Sequence, residues 1–386
     1  MRFELTGSTW GEEEKQAIFD VVKSNRFTMG PRVQEFEEKF AAHFGMRYAV
    51  MANSGSSANL IAVASLFYRK DNPLKRGDEV IVPCISWATT YHPLHQYGLK
   101  LKFVDVDLKT LTIDVAELKK AITGKTRMVV AVSVLGNPCR FDEITGLCAE
   151  NNIILFEDNC ESMGARFDGR YTGTFGFVNT FSTFFSHHIS TMEGGLALTN
   201  DKEMYNLLKS IRNHGWTRGQ DEDSPVFEKR DDDFYEAYRF ILPGYNVRPS
   251  EIHGAIGSRQ LDKLDGFLKV RRKNAEHFVG LFGNDKRFII QSETGESSWF
   301  CFTMIVNPEW TADRKRVLQT LRQAGIEYRI ITGGNILRHD VIRYYNHEVT
   351  KSTNADIAHY NGFFVGNFSE DIRDKIDYLH ETLATL

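Results

Sequence analysis

Seven short, largely apolar runs recur through the first half of the chain: YAVMANS (48–54), EVIVPC (79–84), KFVDVD (102–107), MVVAVSVLG (128–136), IILFED (153–158), TFSTFF (180–185) and LALTND (196–201). Several are apolar at nearly every position instead of every second one, so both faces of those strands must be covered. Strands buried on both faces belong to a mostly parallel sheet with helices on either side. Helical stretches and loops separate the runs, which predicts a large α/β domain on a seven-stranded, mostly parallel sheet.

The texture changes at residues 215–233, GWTRGQDEDSPVFEKRDDD, a charged segment with Gly and Pro that reads as an exposed loop. Beyond LPGYNVRPSE a helical pattern covers residues 252–278; a strand in SSWFCFTMIV and a helix in RKRVLQTLRQAGI, stopped at Gly325, follow. A 386-residue chain suits two unequal domains. The expected division is a large domain over residues 1–250, of which the first ~15 residues could pack elsewhere, and a smaller C-terminal α+β domain over 251–386.

Charge and cysteine usage remove several function classes. The net charge of -4 is spread along the chain with no basic stripe, so nucleic acid is not an expected partner. No run approaches the ~20 apolar residues of a membrane span, and the N-terminus turns acidic before an apolar signal core could form. The five cysteines, Cys84, Cys139, Cys148, Cys160 and Cys301, are scattered and never form CxxC. Neither a disulfide framework, a metal site nor an iron-sulfur cluster is expected, and a cytoplasmic location is.

In open α/β sheets ligands bind beyond the carboxyl ends of the strands, so the residues just after each run carry the chemistry. NSGSSANL (53–60) is a small-residue turn before a helix; it is either an ordinary N-capped start or an anion site made by backbone N–H groups. Trp87, in SWATTYHP, either stacks on a flat heterocycle or packs on the next helix. Glu157 and Asp158 end a buried strand and need a partner, either a structural arginine or a cationic ring nitrogen. TFSTFFSHHISTMEGG (180–195) ends a strand in two adjacent histidines, with no lysine until Lys202. Adjacent residues of an extended segment point to opposite sides, so only one imidazole can face a ligand. A shared metal site is therefore awkward for the pair.

Taken in order, SGSSANL, SWATT, FVDVD with TLTID, EDNCESMGA, GTFG, EGG, RNHG and PGYNVRPSEIHGAIG resemble the DegT/StrS type of nucleotide-sugar aminotransferases across most of the chain. The resemblance implies the fold type I architecture of pyridoxal-phosphate enzymes. It also implies that Gly55, Ser56 and Ser182 hold the cofactor phosphate, Trp87 stacks on the pyridine ring, Asp158 pairs with the ring nitrogen, and Glu161 lies near the ring hydroxyl and the substrate. Asn246 is expected to reach the phosphate of a neighbouring subunit, making a homodimer with shared active sites.

One position departs from that family's pattern. Where the aminotransferases carry the lysine that binds the cofactor aldehyde, six or seven residues before the acidic residue of the final EGG, this chain has His187. An imidazole cannot anchor the aldehyde covalently, but with an ordinary pKa of about 6.5 it can act as base and acid. The exchange resembles the sugar 3-dehydratases of the family, and STFFSHHISTMEGG, HGWTR, LPGYNVRP, VRRKNAE and ETGESSWF are similar to the branch that works without an iron-sulfur cluster. That branch implies pyridoxal and pyridoxamine phosphate as cofactor forms, L-glutamate as amino donor and a nucleotide-linked 4-keto-6-deoxy sugar as substrate. Arg248 is the candidate for the glutamate carboxylate, because a guanidinium forks onto it; His214 is a further candidate contact. Two other readings stay open: an aminotransferase making a 4-amino sugar, and a non-catalytic binder of nucleotide sugar or cofactor.

Overall fold

The computed structural model describes residues 1–386. Helices α1 (Glu12–Ser24) and α2 (Pro31–Phe44) precede an alternation of β1 (Tyr48–Ala52), α3 (Gly55–Leu66), β2 (Glu79–Pro83), α4 (Ala88–Gln96), β3 (Lys100–Val104), α5 (Val115–Ala121), β4 (Thr126–Val132), α6 (Phe141–Glu150) and β5 (Ile154–Asp158). A small hairpin, β6 (Arg166–Phe167) with β7 (Arg170–Tyr171), leads to β8 (Val178–Ser182), β9 (Gly195–Thr199) and α7 (Lys202–Arg212). The remainder comprises α8 (Asp233–Glu236), α9 (Glu251–Phe282), β10 (Phe288–Ile290), β11 (Cys301–Val306), α10 (Arg314–Gln323), β12 (His347–Val349), α11 (Thr353–Asn361), β13 (Gly362–Gly366) and α12 (Arg373–Leu383).

All seven expected strands lie in one sheet, ordered β1-β9-β8-β5-β4-β2-β3-β12. From β8 to β12 every neighbour is parallel, and β9 runs against both β1 and β8. The strands β2, β5, β8 and β9 are buried at all five positions, as their apolar runs require. The expectation of seven strands is corrected to eight. The additional strand, β12, is a three-residue edge with two exposed positions, so no apolar run announces it. It is held by charge: Glu348 Oε1 lies 3.3 Å from Nζ of the buried Lys102, and its other oxygen meets Lys100.

Between Arg212 and Asp233 there is no regular helix or strand, in keeping with the charged loop read there. Helix α9 runs 32 residues, about 48 Å at 1.5 Å per residue. Near its start it crosses α2 so closely that a Cβ on Gly257 would come within 2.6 Å of the Phe36 ring. Its later residues Phe278 and Phe282 pack with Phe302, Val317, Phe363 and Leu379 around a three-stranded antiparallel sheet, β10-β11-β13. Phe3 joins this second core, bridging Ile326, while residues 331–338 and β12 return to the large sheet.

Candidate active site

A cavity of about 340 Å³ opens where the carboxyl ends of β4, β5 and β8 meet the amino ends of α3 and α4. Of the ten residues singled out in the sequence, seven line it: Gly55, Ser56, Trp87, Asp158, Glu161, Ser182 and His187.

The amino end of α3 is capped as an ordinary helix start and still leaves N–H groups free. Ser54 caps it, its hydroxyl accepting from Ser57 N–H at 3.0 Å, while the N–H groups of Gly55 and Ser56 have no partner within the helix. A side chain at position 55 would collide: its Cβ would lie 2.7 Å from Ser182 Cβ and 3.0 Å from Cys160 Sγ. Gly195 approaches from β9, where a Cβ would come within 2.4 Å of Gly55 N. Two hydroxyls, Ser56 and Ser182, therefore flank a helix terminus that suits an anion. Trp87, at the start of α4, is 58% exposed at the cavity, so it is not buried under the helix that follows and its face is open to a flat ring.

Asp158 is buried with no cation among its partners. Oδ2 accepts from Asn59 Nδ2 at 2.9 Å and Thr90 Oγ1 at 2.7 Å, and Oδ1 from Cys160 N–H at 3.1 Å. The structural-arginine alternative therefore fails; three neutral donors fix the carboxylate and leave its charge uncompensated. Its neighbour Glu157 faces the other way and accepts from the N–H groups of Gly173, Phe175 and Gly176, which ties the strand end to the turn before β8. Glu161 is held through Oε2 by Leu135 N–H and Thr332 Oγ1, each at 3.1 Å. Burial pushes its carboxyl up to about 7, with Asp158 adding to the rise and the two donors opposing it.

The histidines separate, but the chain turns at this point instead of running extended, with His187 N–H donating to Phe184 O at 2.9 Å. His188 is fully buried, its Nε2 3.2 Å from Ser298 O, with a packing role. His187 lines the cavity, edge-on to Phe184 and Phe300 at centroid distances of 5.9 and 5.1 Å, and its Nδ1 has no hydrogen-bond partner. The ordinary imidazole pKa expected for it is corrected: burial pushes it down to about 4, with Arg271 also lowering it, so the ring is neutral at neutral pH. Its loop is pinched shut by Thr183 N–H donating to Gly194 O and Thr191 N–H to Thr183 O, each at 2.9 Å. A Cβ on Gly194 would lie 2.3 Å from Thr191 Oγ1 and 2.4 Å from Thr183 Oγ1, which accounts for that glycine of the EGG motif.

Asn246, Arg248 and His214 do not line the cavity. They form their own group: Asn246, exposed, bridges Asn213 and accepts from Arg248 Nε at 3.0 Å, and His214 N–H donates to Tyr245 O at 2.7 Å. The sequence reading missed Asn59, Thr90 and Thr332. Asn59 had a signal, an amide four positions after Gly55 and so on the same face of a helix whose other polar residues are all serines; Thr90 and Thr332 had none. All five cysteines are free, and no helix is long and apolar enough to cross a membrane.

These residues fit pyridoxal phosphate: a helix terminus with two hydroxyls for the phosphate, an open indole for the ring, a charge-uncompensated carboxylate for its nitrogen, and an imidazole in the cavity wall. Residues 8–383 match the DegT/DnrJ/EryC1/StrS aminotransferase family. The chain belongs to that family. Its mixed α/β architecture is the one expected for a member. The GDP-4-keto-6-deoxy-D-mannose 3-dehydratase of Escherichia coli O55:H7 is 50% identical over 386 residues, 99% of this chain and 100% of that protein. A structure of GDP-4-keto-6-deoxymannose-3-dehydratase with a trapped PLP-glutamate geminal diamine superposes with a TM-score of 0.98 at 50% identity, covering 99% of this chain and 100% of the other. A structure of ColD in which a histidine is replaced by lysine and the serine before it by asparagine gives 0.96 at 50% identity, covering 98% and 100%. Against that family the position held by His187 stands out, because aminotransferases need an amine there.

Proposed function

We propose that this chain is a pyridoxal-phosphate-dependent 3-dehydratase that removes the C3 hydroxyl of GDP-4-keto-6-deoxy-D-mannose. The product is GDP-4-keto-3,6-dideoxy-D-mannose, with L-glutamate supplying the amino group that is finally released as ammonia. The reaction serves dideoxysugar (colitose) synthesis for a cell-surface polysaccharide, in the cytoplasm. The observation that carries the reading is the neutral, unpaired imidazole of His187 facing the same cavity as the uncompensated Asp158. Ser186–His187 is the only Ser-His dipeptide in the chain, the same pair of residue types exchanged in the ColD double variant.

Bound pyridoxal phosphate and its amine form supply an electron sink for the bond changes at the sugar. The protein supplies the rest. Gly55 and Ser56 N–H groups with the Ser56 and Ser182 hydroxyls bind the phosphate, Trp87 covers the ring and Asp158 stabilises a protonated ring nitrogen. His187, neutral at working pH, accepts a proton at the ring nitrogen on the cavity side, Nε2, and returns it to the hydroxyl leaving C3 as water. Lacking a primary amine, it leaves the aldehyde free for glutamate. Asn246, Arg248 and His214, outside the cavity of their own chain, serve the site of a second copy in a homodimer: Asn246 at the phosphate, Arg248 at the glutamate carboxylate, His214 beside them.

Incubation with pyridoxal phosphate, L-glutamate and GDP-4-keto-6-deoxymannose tests the reading, with the sugar followed by mass spectrometry and ammonia measured alongside. Loss of one oxygen from the sugar with ammonia release is expected. A 4-amino sugar, or no turnover with cofactor bound, overturns it.

A further inference from the structure

Two segments far apart in the sequence converge on one oxygen of Glu161: Leu135 N–H and the Thr332 hydroxyl both donate to Oε2, while Oε1 has no donor. Both donors sit in left-handed backbone, Leu135 at φ 53, ψ 30 and Thr332 at φ 41, ψ 43. A branched residue such as threonine holds that conformation only where its surroundings impose it.

The surroundings of Thr332 do so. Gly333 and Gly334 follow with φ of 80 and 78, and a Cβ on Gly334 would lie 2.3 Å from His359 Nδ1. Asn335 donates its N–H to His359 Nδ1 at 3.2 Å and its side-chain amide to Asp356 at 2.8 Å, both on α11. His339 Nε2 lies 2.7 Å from Gly333 O, and Ile336 N–H donates to Cys84 O at 3.1 Å, just past β2 and shortly before Trp87. The loop is strapped to α11 on one side and to the large sheet on the other, and Thr332 is its one contribution to the cavity wall.

An oxygen already accepting two hydrogen bonds is the poorer place for a proton, so a protonated Glu161 carries its hydrogen on Oε1. We propose that Thr332 is a positioning residue that fixes Oε2 as an acceptor, so that Oε1 is the atom of Glu161 that exchanges hydrogen bonds and protons with a ligand oxygen. The ligand part of this inference rests on the dehydratase reading; the placement of the proton does not. The titratable groups around Glu161 are Asp158 and Cys160 on its own segment, His187 across the cavity, and Cys301 on β11.

The test follows the infrared band of the protonated carboxyl with pH in the cofactor-free protein, the band being assigned by its loss in Glu161→Gln. The wild-type midpoint is expected near about 7. Thr332→Val removes a donor that favours the charged form, so the midpoint should rise by about one pH unit, and Thr332→Ser should restore it. In the holoenzyme the matching limb of kcat/KM moves up with valine and returns with serine. A midpoint unchanged in a folded Thr332→Val protein overturns the proposal, as does a serine variant that fails to restore it. Where Thr332→Val does not fold, Thr332→Gly suits the left-handed backbone, lacks the hydroxyl and gives the same reading. A midpoint that moves as stated in Thr332→Val, together with a wild-type protein that lacks dehydratase activity, sinks the dehydratase reading and leaves the positioning role standing.

Discussion

Asp158 and His187 face one cavity and are held by opposite means. Asp158 is fixed by three hydrogen bonds from Asn59, Thr90 and Cys160, at the end of a fully buried strand. His187 rides on a pinched loop between two aromatic edges, with Nδ1 unpaired. A group that binds can be immobilised by neutral donors without losing its charge. A group that moves protons must keep a nitrogen free and a pKa that its surroundings can shift. Glu157 and His188, one residue away from each, show the packing alternative: both are buried and turned to the protein, with backbone groups as partners.

That contrast can be broken most sharply at His187. His187→Asn should lower dehydration by about 10²- to 10⁴-fold, the usual worth of a positioned acid-base group. Cofactor binding, read from its absorption, should survive; an unchanged rate would move the base elsewhere. At the binding side, Asp158→Asn removes the charge opposite the ring nitrogen. Cofactor should be held roughly 10-fold or more weaker, measured by spectral titration, and equal affinity would show that neutral donors suffice.

His187→Lys should form a covalent link to the cofactor aldehyde, visible as a shifted band, and stall the cycle. A pH titration sharpens the comparison further. Because the imidazole is pushed down to about 4, nuclear magnetic resonance of the cofactor-free protein should show it neutral well below the ordinary histidine range. The unfolded chain takes up that proton first as pH falls, so stability should drop between about 6.5 and 4 and level off below, and His187→Asn should remove that component of the acid-side slope. The smallest effect is expected from Thr90→Val, which deletes one of three donors to Asp158. A loss of about 1 kcal/mol, several-fold in cofactor affinity, is anticipated; a loss as large as that of Asp158→Asn would mean that the hydroxyl, not the charge, does the holding.

Much of this site was legible before the fold was known, for physical reasons that differ by residue. Gly55, Asp158, Ser182 and His187 follow strand ends or open helices, and the spacing to the EGG motif singled out His187 over His188, although the extended alternation expected of the pair gives way to a turn. Thr90 and Thr332 were not legible, because a threonine in a turn looks the same whether its hydroxyl meets water or a carboxylate. The strand β12 was hidden for a related reason: three residues with one apolar side chain make no run, and only backbone pairing with β3, with Lys102 beside Glu348, makes them a strand.

The sequence by itself determined the parallel core, through apolar runs that tolerate no water on either face, and the chemistry of position 187, where an imidazole stands in place of an amine. Tertiary structure alone decided how those groups are tuned. Burial takes His187 down to about 4 and Glu161 up to about 7, and the latter is also held by two left-handed donors from segments far apart in the sequence. Desolvation and hydrogen-bond geometry depend on what lies within a few ångströms in space, and that distance is set only when the strands and loops are assembled.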